Sequence, residues 1–396
     1  MMVQDRNDAV TSQLLTEETT AVTHKLSTSI ETRTSAPQSL PTLPFDLVAE
    51  ILCRLPVNLL LQLLYLCKSF NSLISDYDFA KKQLRMSAAR HHLIMRSQSG
   101  LCLLDSPLPS VFSTSRVTLK QTELSYPVSL NNGCRLKVCS CDGILCINTT
   151  IPYERSAILW NPSFRNFKIL PPLEFEWEYG TAPPIYSFGY DHFIDSYKII
   201  VVSNCSSKKG KIEVGVHSLG TNDWRRIHEI PISGRILESG IFVSGTINWL
   251  VFDISNWSSG LATIVSLDLE KESYRMLPQP DLEWQFWKNS LGMLRDCLCI
   301  FDGNHDMFFD VWIMKEYGNR ESWTKLNRVP RMINYVTHIT KILYMSEDDQ
   351  MLVDYNDSGV AVYDYKNGTF LNIPKIENLN WWSINPKVYV ESLISP

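Results

Sequence analysis

Four cysteines, Cys134, Cys139, Cys141 and Cys146, fall close together in this chain. Thiolates are soft ligands that can hold zinc, so a structural metal site is the first chemistry to consider. The spacing C-x4-C-x-C-x4-C lacks the two-residue gaps that bring thiolates into a zinc knuckle. Cys139 and Cys141 lie two apart in a β-rich run, and so share one face of a strand. "CDG" then reads as the turn, with Cys146 on the return strand. Buried free thiols behave as small apolar residues, which is the reading adopted here. Cys297 and Cys299 repeat the pattern and the conclusion. The eight histidines are scattered, and adjacent His91 and His92 point to opposite faces of a strand. The chain contains no G-x-S-x-G elbow, no P-loop and no H-E-x-x-H. These residues call for no catalytic group, no metal and no cofactor.

Aromatic residues are the other candidates. Trp160, Trp224, Trp249, Trp312 and Trp323 recur at related places and read as packing between repeated units. "LEFEWEYGTAPPIYS" and "DLEWQFWKNS" differ, because they mix acidic, aromatic and turn-forming residues in lengthened connections. Loops on rigid scaffolds often carry function, so Trp177, Tyr179, Trp284 and Trp287 are the candidate contacts for a bound target.

The elements that would position these residues follow from the whole chain. It has 396 residues, 44% hydrophobic and 20% charged, ordinary for a packed globular protein. The net charge of −5 gives no basic footprint for nucleic acid or an anionic membrane. No stretch approaches the roughly 18 apolar residues of a membrane span. The opening "MMVQDRNDAVTSQLLTEETT" has charges where a signal peptide needs an apolar core. The expectation is a protein of the cytoplasm or nucleus, with its cysteines mostly free.

Residues 1–38 are rich in Ser, Thr, Glu and Gln and read as a disordered tail, with a short helix around Gln13 to Lys25 as the alternative. Residues 40–88 read as helices. Leu43, Leu47, Ile51, Leu52 and Leu55 follow helical spacing, and Pro56 ends the first helix. A second helix carries Leu60, Leu63, Leu64 and Cys67, and "NSLISDYDFAKKQL" reads as a third. Helices this short gain their stability from packing, and three of them bury too little to stand alone. Such a stub needs a partner's apolar surface.

From residue 90 to 396 the chain reads as β-hairpins of two alternating kinds. Aligning Trp160, His217, Leu267, Trp312 and Tyr363 gives separations of 57, 50, 45 and 51 residues. A repeat of about 50 residues with four strands is the signature of a propeller blade. "PKVYVESLI" supplies a last strand that can join the first three and hide both open edges. The expectation is a six-bladed all-β propeller behind a small all-α piece, with a two-sheet barrel as the alternative.

Residues 41–88 resemble an F-box. Leu43, Pro44, Asp46, Leu47, Glu50, Ile51, Leu52, Arg54, Leu55, Pro56, Leu60, Cys67, Lys68, Leu73, Ile74 and Phe79 stand in register with the family pattern. Asn58, Leu59, Gln62, Phe70 and Tyr77 depart from it. The remainder resembles the plant F-box-associated domain of kelch-like type, chiefly through "CDGILCI…ILWNPSFRNFKILPPL", "FGYDHFIDSYKIIVV" and "VYDYKNGTFLNI". The resemblance implies docking of the helices on a Skp-type adaptor, linked to a cullin and a RING protein in an SCF ubiquitin ligase. It implies an adaptor face of Leu43, Pro44, Leu47, Ile51, Leu52, Leu55, Pro56, Leu60 and Leu64. The propeller would capture a target protein for ubiquitination and degradation, and the chain would catalyse nothing itself. Two readings stay open beside it: a non-degradative F-box scaffold, and a ligand-binding propeller with an accessory F-box.

Overall fold

The computed structural model describes residues 43–86, 90–96, 103–113, 122–124, 136–149, 157–173, 183–204, 210–253, 262–282, 289–303, 308–330, 339–355, 359–372 and 386–396. The tail reading for 1–38 and the contacts expected of Trp177, Tyr179, Trp284 and Trp287 lie outside the described residues. The chain divides at Val48 into a short first unit and a second unit, Ala49–Pro396.

Among the described residues four helices come first: α1 (Phe45–Leu52), α2 (Val57–Leu63), α3 (Lys68–Ile74) and α4 (Tyr77–Met86). The Pro44 carbonyl accepts from the Leu47 and Val48 amides, and Asp46 sits in the first turn, where the helix dipole favours an anion. Pro56 ends the run and opens the next, because its carbonyl accepts from Leu59 and Leu60. The single third helix expected over "NSLISDYDFAKKQL" is instead two. Asp76 breaks it: its Oδ1 accepts from the Phe79 amide at 2.9 Å and caps α4. Val57, Leu60, Ile74, Phe79 and Ala80 form the interior of the helical segment.

Six antiparallel sheets follow, each a blade. The second blade is β4 (Leu136–Cys141), β5 (Ile144–Thr149), β6 (Ala157–Asn161) and β7 (Asn166–Ile169). The third is β8 (Ile185–Asp191), β9 (Ser196–Asn204), β10 (Ile212–Ser218) and β11 (Arg225–Arg226). The fourth has a divided inner edge, β12 (Arg235–Ile236) and β13 (Ile241–Val243), then β14 (Thr246–Phe252), β15 (Ala262–Asp268) and β16 (Tyr274–Leu277). The fifth is β17 (Ser290–Leu294), β18 (Cys297–Asp302), β19 (Phe308–Met314) and β20 (Trp323–Pro330). The sixth is β21 (Ile339–Met345), β22 (Gln350–Tyr355), β23 (Val360–Asp364) and β24 (Thr369–Asn372). The first blade is composite. β1 (His91–Arg96), β2 (Leu103–Pro107) and β3 (Thr122–Leu124) receive their inner strand from the C-terminus, β25 (Lys387–Val390). A short helix, α5 (Leu108–Phe112), follows β2.

Inner strands of neighbouring blades touch in the cycle β25, β4, β8, β13, β17, β21 and back to β25. This is the closed six-bladed ring the repeat predicts. Several hairpins turn on two residues with positive φ, Asp142–Gly143, Ser244–Gly245 and Arg295–Asp296, the torsions that match strand twist in tight hairpins. The apolar cores lie between blades: Ile94, Val138 and Trp160 between the first and second, and Phe301, Phe309, Val353 and Tyr363 between the fifth and sixth.

The repeat alignment is corrected at one position. Trp160 faces Phe167 across the outer hairpin, Leu267 faces Tyr274 and Tyr363 faces Phe370. In the fifth blade the residue facing the aromatic Trp323 is Met314, two positions beyond Trp312. The β19–β20 connection is lengthened by a 3-10 turn, Arg320–Ser322, so matching aromatic to aromatic stops one pleat early.

These outer-strand aromatics also latch adjacent blades. The Trp224 indole N–H donates to the Pro171 carbonyl at 2.9 Å, and Trp323 donates to Pro278 at 2.8 Å. The Tyr274 hydroxyl donates to His228 at 2.7 Å. In each case the acceptor lies just beyond the outer strand of the preceding blade. Trp323→Phe should therefore lower stability by about 1–2 kcal/mol in urea unfolding, because it leaves a carbonyl without its donor. Trp312→Phe, which breaks no such bond, should cost less, and equal losses would refute the latch.

The closing strand meets an ion pair of the first blade. His92 Nδ1 lies 2.9 Å from Asp105 Oδ2, and the Tyr389 hydroxyl of β25 donates to Asp105 Oδ1 at 3.1 Å. Burial opposes the imidazolium, but Asp105 and Glu391 outweigh it and raise the His92 pKa. A group raised on folding stabilises fully below its unfolded pKa, about 6.5, and that stability is lost as pH rises through the folded value. The stability gap between wild type and His92→Gln should thus be wider at pH 6 than at pH 8 in thermal unfolding. A constant gap would show that Asp105 does not act through the charge.

Candidate functional site

Two surfaces emerge, one helical and one on the propeller. On α1, Leu47 and Ile51 lie one turn apart on one face and are 51% and 55% exposed. Leu43 and Pro44 ahead of them are also exposed. Leu55, Pro56 and Leu64 are half-buried, whereas Leu52 and Leu60 are buried. The structure adds Phe45 on α1, and Leu59, Tyr65 and Leu66 on and after α2, to the exposed apolar set. Their signal in the sequence is a surplus of apolar residues over what one helix face needs.

Within the second unit, the helical segment is tied to the propeller by ionic contacts. Lys81 on α4 donates to Tyr190 and Asp195 of the β8–β9 hairpin. Its ammonium stands 4.5 Å from the Tyr77 ring centre and 4.7 Å from that of Tyr190. Burial works against the Lys81 charge, but Asp195 and Tyr77 together raise its pKa. Beneath this cluster the Tyr197 hydroxyl donates to Asp142 Oδ2 at 2.9 Å, and burial nevertheless raises the Asp142 pKa. Tyr77, a departure from the F-box pattern, is thus part of the seam. The second tie is Arg90, whose guanidinium donates to the carbonyls of Arg54 and Leu55. Sequence reasoning found neither cation, because their partners are remote in the chain.

The antiparallel order fixes which connections share a face. In the second to sixth blades the turn between first and second strands and that between third and fourth lie at one end. The β8–β9 turn that meets α4 is at that end. The connections that carry Trp177 and Tyr179 (β7 to β8) and Trp284 and Trp287 (β16 to β17) leave from the opposite end. Both flanks of each connection, Leu173 and Pro183, and Leu282 and Asn289, are described; the four aromatics are not.

Of the cysteine cluster, Cys141 and Cys146 are buried and Cys139 is half-buried. Cys139 and Cys146 face each other across β4 and β5, and both are free, as is Cys141. The Cys139 hydrogen bond and burial push the Cys146 thiol up, and burial pushes up Cys141. Cys134 lies outside the described residues. Among the described residues no three His, Cys, Asp or Glu side chains converge as a metal site would require. Trp160, Trp249 and Trp323 are buried in the cores between blades, Trp224 and Trp312 partly so.

Comparison with known proteins agrees with this division of the chain. Residues 40–82 match the F-box domain, and residues 92–396 match the F-box associated beta propeller domain. F-box/kelch-repeat protein At3g23880 of Arabidopsis thaliana is 31% identical, over 89% of this chain and 96% of its own length. F-box protein CPR1 of the same plant is 26% identical, over 82% of each chain. The chain belongs to the plant F-box proteins that carry an F-box-associated β-propeller.

Proposed function

We propose that this protein is the substrate receptor of an SCF-type ubiquitin ligase. Its F-box, residues 40–88, docks on a Skp-type adaptor and through it on cullin and RING subunits. Its propeller, residues 90–396, captures a target protein. The observation that carries the reading is the exposed pair Leu47 and Ile51 on the first helix of a matched F-box. Apolar side chains held half in water gain stability when a partner covers them, about 25 cal/mol per Å². Leu43, Pro44, Leu55, Pro56 and Leu64, exposed or half-buried, and buried Leu52 and Leu60 are the further residues this reading assigns to the interface.

The chain acts by tethering rather than by chemistry. Holding a target beside the charged conjugating enzyme raises the effective concentration of its lysines. Trp177, Tyr179, Trp284 and Trp287, which lie outside the described residues, are the candidate target contacts. The protein works in the cytoplasm or nucleus, where its free thiols stay reduced.

Co-expression with a Skp-type adaptor tests the reading. The two chains should co-purify as a stoichiometric complex. Leu47→Asp with Ile51→Asp should weaken adaptor binding by about a hundredfold or more, since two central apolar anchors are replaced by charges. Retention of full affinity by that double variant would remove this face from the interface.

A further inference from the structure

The chain between α1 and α2 ends in carbonyls that no helix can satisfy. Pro56 stops the helical ladder, and the oxygens of Arg54 and Leu55 are left facing outward from it. The Arg90 guanidinium meets both with its two Nη groups, and Gln83 adds a weaker bond to Leu55 at 3.4 Å. A planar fork suits two successive carbonyls, and its charge suits the negative end of a helix. Arg90 is itself held. Its backbone carbonyl accepts from the Glu391 amide at 3.0 Å, one residue beyond the closing strand β25. The same C-terminal segment is fastened to the second blade, where Asn161 Nδ2 donates to the carbonyls of Ser392 and Ile394 at 3.1 and 2.7 Å.

We infer that Arg90 is a positioning residue, which fixes helices α2 to α4 against the propeller through a hold that depends on closure of the ring by the C-terminus. The helical segment is bonded to Arg90, Arg90 to Glu391, and Glu391 follows the strand that completes the first blade. Lys81 provides an independent second point of attachment on the β8–β9 turn. A receptor that positions a target gains from this arrangement, because effective concentration falls when the joint between two binding ends is loose. The inference rests on the ligase reading for its use, but its structural content concerns the chain alone.

Hydrogen exchange on the free full-length chain tests it. Arg90→Ala should speed amide exchange in residues 57–86 by about tenfold or more, the scale of one charge-assisted hydrogen bond. Exchange in the third to fifth blades should be unchanged. Arg90→Lys should recover only part, because an ammonium cannot reproduce the fork. Asn161→Ala should speed exchange in 387–394 and, through Arg90, in 57–86. Unchanged protection of 57–86 in Arg90→Ala overturns the inference, and so does protection there that survives opening of 387–394. If Asn161→Ala does not fold, the Arg90 pair decides alone. Adaptor affinity of Arg90→Ala should stay at the wild-type value while ubiquitin transfer per bound target falls, a split that simple destabilisation would not produce. Failure of the wild-type chain to bind adaptor would remove the ligase reading and leave the exchange result standing.

Discussion

Lys198→Met should cost about 3–5 kcal/mol of stability, the loss expected when one partner of a buried ion pair is removed. Lys198 lies on β9 and is 4% exposed. Its ammonium is 2.7 Å from Asp191 Oδ2 and 3.1 Å from Glu272 Oε1, and it donates to the Leu269 carbonyl at 2.5 Å. It therefore binds two adjacent blades, Asp191 ending β8 and Glu272 following β15. Glu272 keeps a second cation, Arg225, in the variant. Among the described residues Asp191 keeps the amides of its own turn, Phe193 at 2.9 Å and Ile194 at 3.4 Å. Burial opposes the Asp191 charge, and Lys198 with those amides holds its pKa below the ordinary carboxylate value despite it. A carboxylate depressed on folding stabilises above its unfolded pKa, about 4, and that stability is lost as pH falls through the folded value. The Lys198→Met deficit should accordingly be largest near neutral pH and narrow below about pH 4, as Asp191 takes up a proton in both proteins. Lys211→Met is the control. Its partner is Glu229, both side chains are exposed, and the pair should contribute under about 1 kcal/mol. Urea unfolding that finds the two variants equal would show that Lys198 is not the tie between these blades.

The Lys198 network also shows where sequence reading stops. The strand and hairpin pattern around it was legible, because alternation and turn residues report local torsion. Asp-Gly at 142–143 and Ser-Gly at 244–245 announce tight hairpins, and both are found. The closing strand was legible because a propeller with one blade lacking a strand has only one remedy. What could not be read is which remote charge a lysine meets: Lys198 lies 74 residues from Glu272, and Lys81 lies 114 from Asp195. The helices failed in a different way. Periodicity marks Leu47, Ile51, Leu52, Leu55 and Leu60 as apolar positions, but both sides of a helix in a small segment can be apolar. Only packing separates exposed Ile51 from its buried neighbour Leu52. Two further signals stand in the sequence. Asp76 three residues before Phe79 is an N-cap pattern, and the long "KEYGNRES" connection warns that aromatic spacing shifts in the fifth blade.

The second large effect belongs to Asn161, in the "WNPSF" run of the second blade. Both ends of its buried amide are used. Oδ1 accepts from the Ser163 amide at 2.8 Å and shapes the turn after β6, while Nδ2 donates to the C-terminal carbonyls. The tail is fixed further by Ser392, whose hydroxyl donates to the Asp142 carbonyl at 2.7 Å. Gly143 permits this approach, since a Cβ there would lie 2.3 Å from Ser392 Oγ. Leu393 and Ile394 are then buried. Asn161→Ala should cost about 3 kcal/mol, because it strands two buried carbonyls and a turn amide at about 1–3 kcal/mol each, with partial relaxation. Asn161→Asp should cost at least as much, since a carboxylate has no N–H to offer and meets two carbonyl oxygens at close range. Deleting residues 392–396 should cost more than either, because it also exposes the surface that Leu393 and Ile394 cover, at about 1.5–3 kcal/mol each. If the amide acts by holding the tail, the two changes cannot add. In the truncated chain Asn161→Ala should lose most of its effect and keep only the turn bond to Ser163. A full cost for Asn161→Ala in the truncated chain, measured as a double-mutant cycle in urea, would place the role of the residue in its own turn and leave the tail to be held by Ser392 and apolar burial alone.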